Sequence, residues 1–289
     1  MNIALTGSSG LIGSRLLSDF KNMGHDVLCI SSSESCPEEK IFLYEELQSN
    51  KIDFEADFLI HLATINSNLD ESEIPLEISL IEKVINSMQS LNCKNLIFFS
   101  TTKVYGDNTF EQHIIDENFP KNPKCFYGEA KAKCEEILLN SALENKFNSL
   151  ILRLPPILIN HSKSNLGKLF QLVERGLPIP SFRLGDSNQR SFLSYNLLTC
   201  FLGEVLSKKD LFSSNILNLS DKDPISTNGL LKRFGKSINK KPRIIYLPNF
   251  FFKVMMRVNR LQLILRKLFG NFHLSTSKLR DAYKLPKYF

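Results

Sequence analysis

Asn2-Ile3-Ala4-Leu5-Thr6-Gly7-Ser8-Ser9-Gly10-Leu11-Ile12-Gly13 is the stretch that decides the fold of this chain. The apolar run Ile3-Ala4-Leu5 predicts a short strand buried on both faces, and the amphipathic stretch from Leu11 to Met23 predicts a helix. Between them Gly7, Gly10 and Gly13 recur at three-residue steps. Glycines at a strand-to-helix turn allow a tight reversal and let backbone N–H groups approach a pyrophosphate, whose charge the helix N-terminus attracts. The strand before and the helix after give the loop that meaning.

The same alternation continues outward. Val27-Leu28-Cys29-Ile30, Phe58-Leu59-Ile60, Leu96-Ile97-Phe98-Phe99 and Leu150-Ile151-Leu152 are short apolar runs, with helical patterns between them such as Ile78 to Leu91. The expected fold is α/β: a Rossmann-type doubly wound parallel sheet with a smaller C-terminal α/β substrate-binding domain. Residues 1–155, joined by about 188–215, are expected to form the cofactor-binding domain, and 156–187 with 216–289 the substrate-binding region. Further on, the patterns predict helices at Asn196–Ser207 and Pro224–Ser237, and strands at Ile216–Leu219 and Arg243–Leu247. There is no internal repeat.

The 289 residues are 43% hydrophobic and 23% charged, which excludes a disordered, collagen-like or disulfide-scaffold protein. No apolar run reaches the length of a spanning helix, and the N-terminus lacks the basic and apolar regions of a signal peptide. A cytoplasmic location is expected. Six cysteines (29, 36, 93, 125, 134 and 200) show no Cys-x-x-Cys spacing, and His25, His113, His161 and His273 have no metal-ligand spacing. No metal is expected. The net charge of +6 is uneven: from Lys232 to Phe289 there are 15 Lys and Arg against one acid, Asp281. Within that tail, Phe250 to Leu268 reads as one basic amphipathic helix. Docking on its own domain is favoured over peripheral membrane contact, and no recognition module supports binding of nucleic acid.

Two further motifs carry chemistry. Tyr127-Gly128-Glu129-Ala130-Lys131 opens a helix, and the four-residue step places Tyr127 and Lys131 on one face. A nearby ammonium favours the phenolate and is expected to lower the tyrosine pKa towards working pH. Such a tyrosine takes a proton from an alcohol or returns one to a ketone as hydride moves to or from a nicotinamide. Phe99-Ser100-Thr101-Thr102 ends a central strand and sets the Thr101 hydroxyl at the carboxyl edge of the sheet, where ligands of such folds bind.

In this order the motifs resemble the extended short-chain dehydrogenase/reductase family, in its nucleotide-sugar epimerase/dehydratase branch. The resemblance extends through Asp57-x-x-Ile60-His61-Leu62-Ala63, Ser100-Thr101-x-x-Val104-Tyr105-Gly106, Leu152-Arg153-Leu154-Pro155 and Gln189-Arg190-Ser191-Phe192. It implies that Gly7, Gly10, Leu11, Ile12 and Gly13 hold the pyrophosphate of NAD or NADP, and that His61, Leu62 and Ala63 line the cofactor cleft. It implies further that Thr101, beside Thr102, meets the substrate oxygen, and that Tyr127 is the acid/base. Lys131 would bind the nicotinamide ribose, Pro155 would pack near the nicotinamide, and Arg190 would meet the diphosphate of a nucleotide-sugar substrate. A homodimer formed through the Tyr127 helix and the helix before it also goes with the family.

Three departures narrow the reading. Thr102-Lys103 replaces the Asp-Glu pair that dehydratases of this branch need, which argues against dehydration. The second strand ends in Ser31-Ser32-Ser33 where an acid commonly binds the ribose, so the choice between NAD and NADP stays open. Arg190-Ser191-Phe192 replaces Arg-Asp-Phe. The expected activity is that of an NAD(P)-dependent nucleotide-sugar 4-epimerase. The alternatives are a one-way 4-keto-sugar reductase and a cofactor-binding protein without turnover. Among single residues, His61 reads as cleft packing, Asp57 as a cap, and Arg153 as an ion pair or a substrate contact.

Overall fold

The computed structural model describes residues 1–32, 41–49, 52–65, 68–159, 165–208 and 215–283. Ser33, Cys36, His161 and the C-terminal Pro286-Lys287-Tyr288-Phe289 lie outside them. Seven parallel strands form the central sheet: β1 (Asn2–Thr6), β2 (Asp26–Ser31), β3 (Ile41–Leu43), β4 (Phe58–His61), β5 (Asn95–Thr101), β6 (Asn148–Leu154) and β7 (Asn215–Asn218). Their spatial order is β7-β6-β5-β4-β1-β2-β3. The order reverses between β1 and β4, so the carboxyl ends of those two strands frame the crevice in which such sheets bind ligands.

Each strand serves two cores by alternation. Ile3, Leu5, Phe58, Ile60, Ile97, Phe99, Leu150 and Leu152 point to one face, where helices α1 (Leu11–Asn22) and, further along the chain, Tyr195–Ser207 and Ser277–Ala282 cover them. Ala4, Leu59, Leu96, Phe98 and Ile151 point to the other, under α2 (Tyr44–Ser49), α3 (Ile74–Ser90) and α4 (Phe126–Asn145). A strand buried on both sides needs apolar residues at every position, which is why these segments read as continuous runs. Strand β3 escaped the sequence reading, because Ile41-Phe42-Leu43 is too short to show a pattern.

The remaining helices are α5 (Asn165–Glu174), α6 (Tyr195–Ser207), α7 (Thr227–Ser237), α8 (Asn249–Met255), α9 (Asn259–Phe269) and α10 (Ser277–Ala282). Helix α7 starts three residues after Pro224, where the Ser226 hydroxyl accepts a hydrogen bond from Gly229 N at 3.0 Å. The expected single helix from Phe250 to Leu268 is instead broken into α8 and α9. Val258 adopts an extended conformation at the break (φ −101°, ψ 112°). The reason lies in packing: Phe252 of α8 and Phe269 of α9 both stack edge-on against Phe182, at 5.1 and 5.5 Å, and the chain bends to deliver both rings. A short strand Arg243–Tyr246 pairs with Pro178–Ser181 beneath this lobe.

Candidate active site

The crevice begins at the glycine loop. Gly7 has φ +74°, a left-handed conformation that suits glycine. A Cβ on Gly7 would stand 2.7 Å from Ala63 N, and one on Gly13 would run into the Gly7 carbonyl. The loop after β1 therefore packs backbone to backbone on Leu62-Ala63 after β4. Thr6 ties the two together: its hydroxyl contacts His61 Nδ1 at 2.6 Å and accepts from Ala63 N at 3.3 Å. Gly10 caps α1 without a side chain, so among the described residues the first N–H groups of that helix have no side-chain cap. Gly7, Gly10, Leu11, Ile12, Gly13, His61, Leu62 and Ala63 thus meet at one place. Ser31 ends β2 beside them in the sheet, half-buried. A cradle filled by any Cβ, opening onto an uncapped helix N-terminus, fits a dinucleotide pyrophosphate.

His61 is buried, stacked on Phe98 at 5.6 Å, and held neutral by burial and then by the charge of Lys131. It is a packing residue with a fixed hydrogen bond. Asp57 accepts from Asn2 N at 2.9 Å, a cap as expected. No disulfide joins the described cysteines; Cys125 is exposed at the start of α4. Among the described residues no group of three or more His, Cys, Asp or Glu is placed to hold a metal.

Across the crevice, β5 delivers Thr101 and Thr102, both buried, at its carboxyl end. The Thr101 hydroxyl accepts from Lys103 N at 3.3 Å, starting the turn Thr102–Tyr105. Helix α4 presses on that turn through Gly128, where a Cβ would stand 2.7 Å from the Lys103 carbonyl. That approach seats neighbouring Tyr127 beside the Thr101–Lys103 turn, with Lys103 Nζ 5.1 Å from the Tyr127 ring centre. Lys131, one turn further on, places Nζ 5.9 Å from the same ring.

The sequence reading missed Glu77. Its carboxylate meets Lys131 Nζ at 2.8 Å, with both side chains buried. Its other oxygen accepts from Thr64 Oγ1 at 3.0 Å and Ile65 N at 2.8 Å, fixing the loop that follows Ala63. The available signal was an acid on the stripe Ile74, Ile81, Val84 that α3 turns inward. Glu77 also corrects the expectation for Tyr127. Burial pushes the phenol above its ordinary pKa; Lys131 acts to lower it, and Glu77 to raise it again. Burial pulls the Lys131 ammonium down, but Tyr127 and Glu77 outweigh it, and the net shift is upward. The lysine stays charged while its field is shared with a carboxylate, so the tyrosine is held protonated.

Arg153 is an ion pair. It binds Glu135 through Nε at 3.0 Å and Nη2 at 2.7 Å, deep in the protein. Ser100 donates to the same carboxylate at 2.6 Å, and Arg153 Nη1 reaches Tyr105 OH at 2.9 Å, which donates to Asn218 at 2.8 Å. This network locks β5, β6, β7 and α4 together immediately behind Thr101. Pro155 is buried just past β6. Arg190 lies outside the sheet, between Ile225 and Phe272, with its guanidinium 5.0 Å over the Phe192 ring. No carboxylate pairs with it among the described residues, and burial lowers its pKa to about 10.

Comparison with known proteins places the chain in a family and a fold. The chain is 23% identical over 295 residues to a UDP-glucose 4-epimerase of Vibrio cholerae, covering 97% of this chain and 89% of that one. It is 26% identical over 261 residues to the N-acetyl-alpha-D-glucosaminyl-diphospho-ditrans,octacis-undecaprenol 4-epimerase of Escherichia coli O157:H7, covering 86% and 75%. The fold superposes on the crystal structure of a UDP-N-acetylglucosamine 4-epimerase from Bacillus cereus with a TM-score of 0.77 at 17% identity, covering 97% and 91%. Residues 3–193 match the model of one family, and the chain belongs to it: the NAD dependent epimerase/dehydratase family.

Proposed function

We propose that this protein is an NAD-dependent 4-epimerase acting on a nucleotide-linked sugar. One observation carries the reading: Gly128 lets α4 close on the Lys103 carbonyl, which seats Tyr127 between the Thr101 turn and Lys131. NAD, when bound, supplies the reversible removal of hydride from a carbinol carbon. Gly7, Gly10, Leu11, Ile12 and Gly13 would hold its pyrophosphate, with Ser31 offering a hydroxyl near the ribose. His61, Leu62, Ala63 and Pro155 would wall the cleft.

Once its phenol has ionised, Tyr127 takes the proton of the C4 hydroxyl as the phenolate and returns it, and Thr101 donates a hydrogen bond to the same oxygen, with Thr102 beside it. Lys131 holds positive charge next to the phenol, so the phenolate that accepts the proton is stabilised when it is needed. Arg190 meets the diphosphate with a planar cation that no acid among the described residues neutralises. The sugar ring is then anchored through its diphosphate while its C4 face stays free to turn, as inversion requires. Thr102-Lys103, where dehydratases carry two acids, argues against elimination of water. In this division of labour residues 1–155 with 188–215 serve the cofactor, joined by β7 at Asn215–Asn218, while 156–187 and the rest of the tail serve the substrate. Homodimerisation through the outer sides of α3 and α4, where Leu76 and Leu143 are exposed, and a cytoplasmic location complete the reading.

The deciding experiment denatures the purified protein and identifies the released nucleotide by mass spectrometry, beside titrations with NADH and NADPH. Tightly held NAD supports the epimerase. An empty protein that binds NADPH supports the one-way reductase, and a protein that binds neither ends the glycine-loop reading. Tyr127→Phe is expected to lower kcat by about 10²–10⁴-fold with NAD content unchanged.

A further inference from the structure

Large apolar side chains are exposed at 19 described positions, and nine of these fall between Ile245 and Leu268. In α8, Phe252 turns inward to Phe182 and Phe110, while Phe250 and Phe251 are 68% and 51% exposed and Val254 joins them. In α9, Leu265 and Phe269 pack inward, and Leu263, Ile264 and Leu268 face out. Exposed cations stand among them: Lys253, the turn residue Arg257, Arg260 and Lys267. No Asp or Glu occurs between Lys232 and Arg280, and no carboxylate among the described residues pairs with those four. Patches of this kind on a folded chain mark a surface that something covers.

We propose that the outer faces of α8 and α9 form a docking surface for an anionic lipid bilayer. The charge argument is direct, since a run of cations free of acids is attracted to anionic headgroups and meets no repulsion from its own neighbours. The pattern argues for a bilayer over a partner helix. The break at Val258 leaves apolar and basic residues interleaved on two short helices, without the single apolar stripe that a helical partner would need. Aromatic rings beside Lys and Arg suit the headgroup boundary, where rings sink and ammonium and guanidinium groups stay wet. The docking surface also adjoins the substrate side of the crevice. Phe272, three residues beyond α9, donates to Gln189 O at 2.7 Å and accepts from Ser191 N at 2.8 Å, on either side of Arg190. Docking would therefore hold the diphosphate-binding side close to the membrane.

The test sediments the full-length protein with vesicles of phosphatidylcholine alone and of phosphatidylcholine with phosphatidylglycerol. Retention by the anionic vesicles only, released by added salt, is expected. Neutralising the four cations (K253Q/R257Q/R260Q/K267Q) is expected to cut the bound fraction at least about tenfold. F250S/F251S, which keeps every charge, is expected to reduce it as well. Circular dichroism and melting temperature should not move for either variant, because all six side chains are exposed. A protein that stays in the supernatant with anionic vesicles at low salt overturns the proposal, as does retention that neither variant weakens. Retention on heparin without retention on vesicles overturns it in favour of a nucleic acid or an acidic protein. NAD content and C4 epimerisation, measured on the same preparation without vesicles, keep the two readings apart. A protein that binds vesicles yet carries no NAD sinks the catalytic reading and leaves the docking surface standing.

Discussion

Along α3 and α4 every buried cation described above faces a carboxylate: Lys131 meets Glu77 at 2.8 Å and Arg153 meets Glu135 at 2.7 Å. The C-terminal lobe treats charge the other way. Arg190 is half-buried with no acid paired to it among the described residues, and Lys253, Arg257, Arg260 and Lys267 turn outward from a segment that holds no acid. A buried pair is balanced internally, so it fixes geometry and asks for nothing from outside. An unbalanced cation is stabilised when an anion arrives. The first arrangement suits a scaffold that must place Tyr127 and Thr101 accurately, and the second suits surfaces that receive a ligand.

The sharpest way to break this comparison is to unbalance the first region. Glu135→Gln leaves Arg153 charged and buried without its partner, and urea unfolding is expected to show a loss of about 3–5 kcal/mol. A loss below about 1 kcal/mol, the range of exposed pairs, would mean that the network is not structural. The mirror experiment removes the unbalanced cation. With Arg190 on the diphosphate as proposed, Arg190→Gln would take away charge-assisted hydrogen bonds worth about 1.5–3 kcal/mol, so KM is expected to rise about 10–100-fold. Thermal stability should hold, because half-buried Arg190 pairs with no carboxylate among the described residues. A lower melting temperature with unchanged KM would make Arg190 structural.

A smaller effect separates positioning from packing at Glu77. The groups that act on the Tyr127 phenol are Lys131, Glu77, Cys125 and Cys134, with Lys103 over its ring. Glu77→Gln removes the carboxylate that raises the phenol pKa, so deprotonation becomes easier and the rising limb of kcat/KM against pH moves to lower pH. The expected displacement is up to about one pH unit, or about 1.4 kcal/mol. A limb that stays in place while kcat falls would assign Glu77 to the Thr64-Ile65 loop alone. The smallest effect belongs to the outer face: Lys253→Gln with Arg257→Gln should change unfolding free energy by no more than about 0.5 kcal/mol and leave C4 epimerisation of a soluble nucleotide sugar unaltered.

The strands of the central sheet other than β3 were legible because a strand buried on both faces leaves a continuous apolar run, and Ile3-Ala4-Leu5 or Leu150-Ile151-Leu152 can satisfy little else. The glycine loop was legible because its three-residue spacing fell between a strand and a helix. Tyr127 and Lys131 were legible as a pair, for a four-residue step on a helix fixes their common face. The C-terminal helix was misjudged: its three- and four-residue periodicity from Phe250 to Leu268 is genuine, yet Phe252 and Phe269 both seek Phe182, and a straight rod cannot deliver them.

What the sequence by itself determined is therefore everything carried by local periodicity and spacing: the strand-loop-helix unit at Gly7, the helix face of Tyr127 and Lys131, and the excess of positive charge in the tail. What only the tertiary structure decided is the pairing of distant residues. Glu77 lies 54 residues from Lys131 and Glu135 lies 18 from Arg153, and no spacing rule links them. Lys131 meets Glu77 because α3 and α4 pack side by side, Arg153 meets Glu135 because α4 lies against β6, and Gly128 leaves room for the Lys103 carbonyl. The charge state of Tyr127 follows from that meeting, since a field that decays with distance is set by where the folded chain brings its charges and not by their order along it.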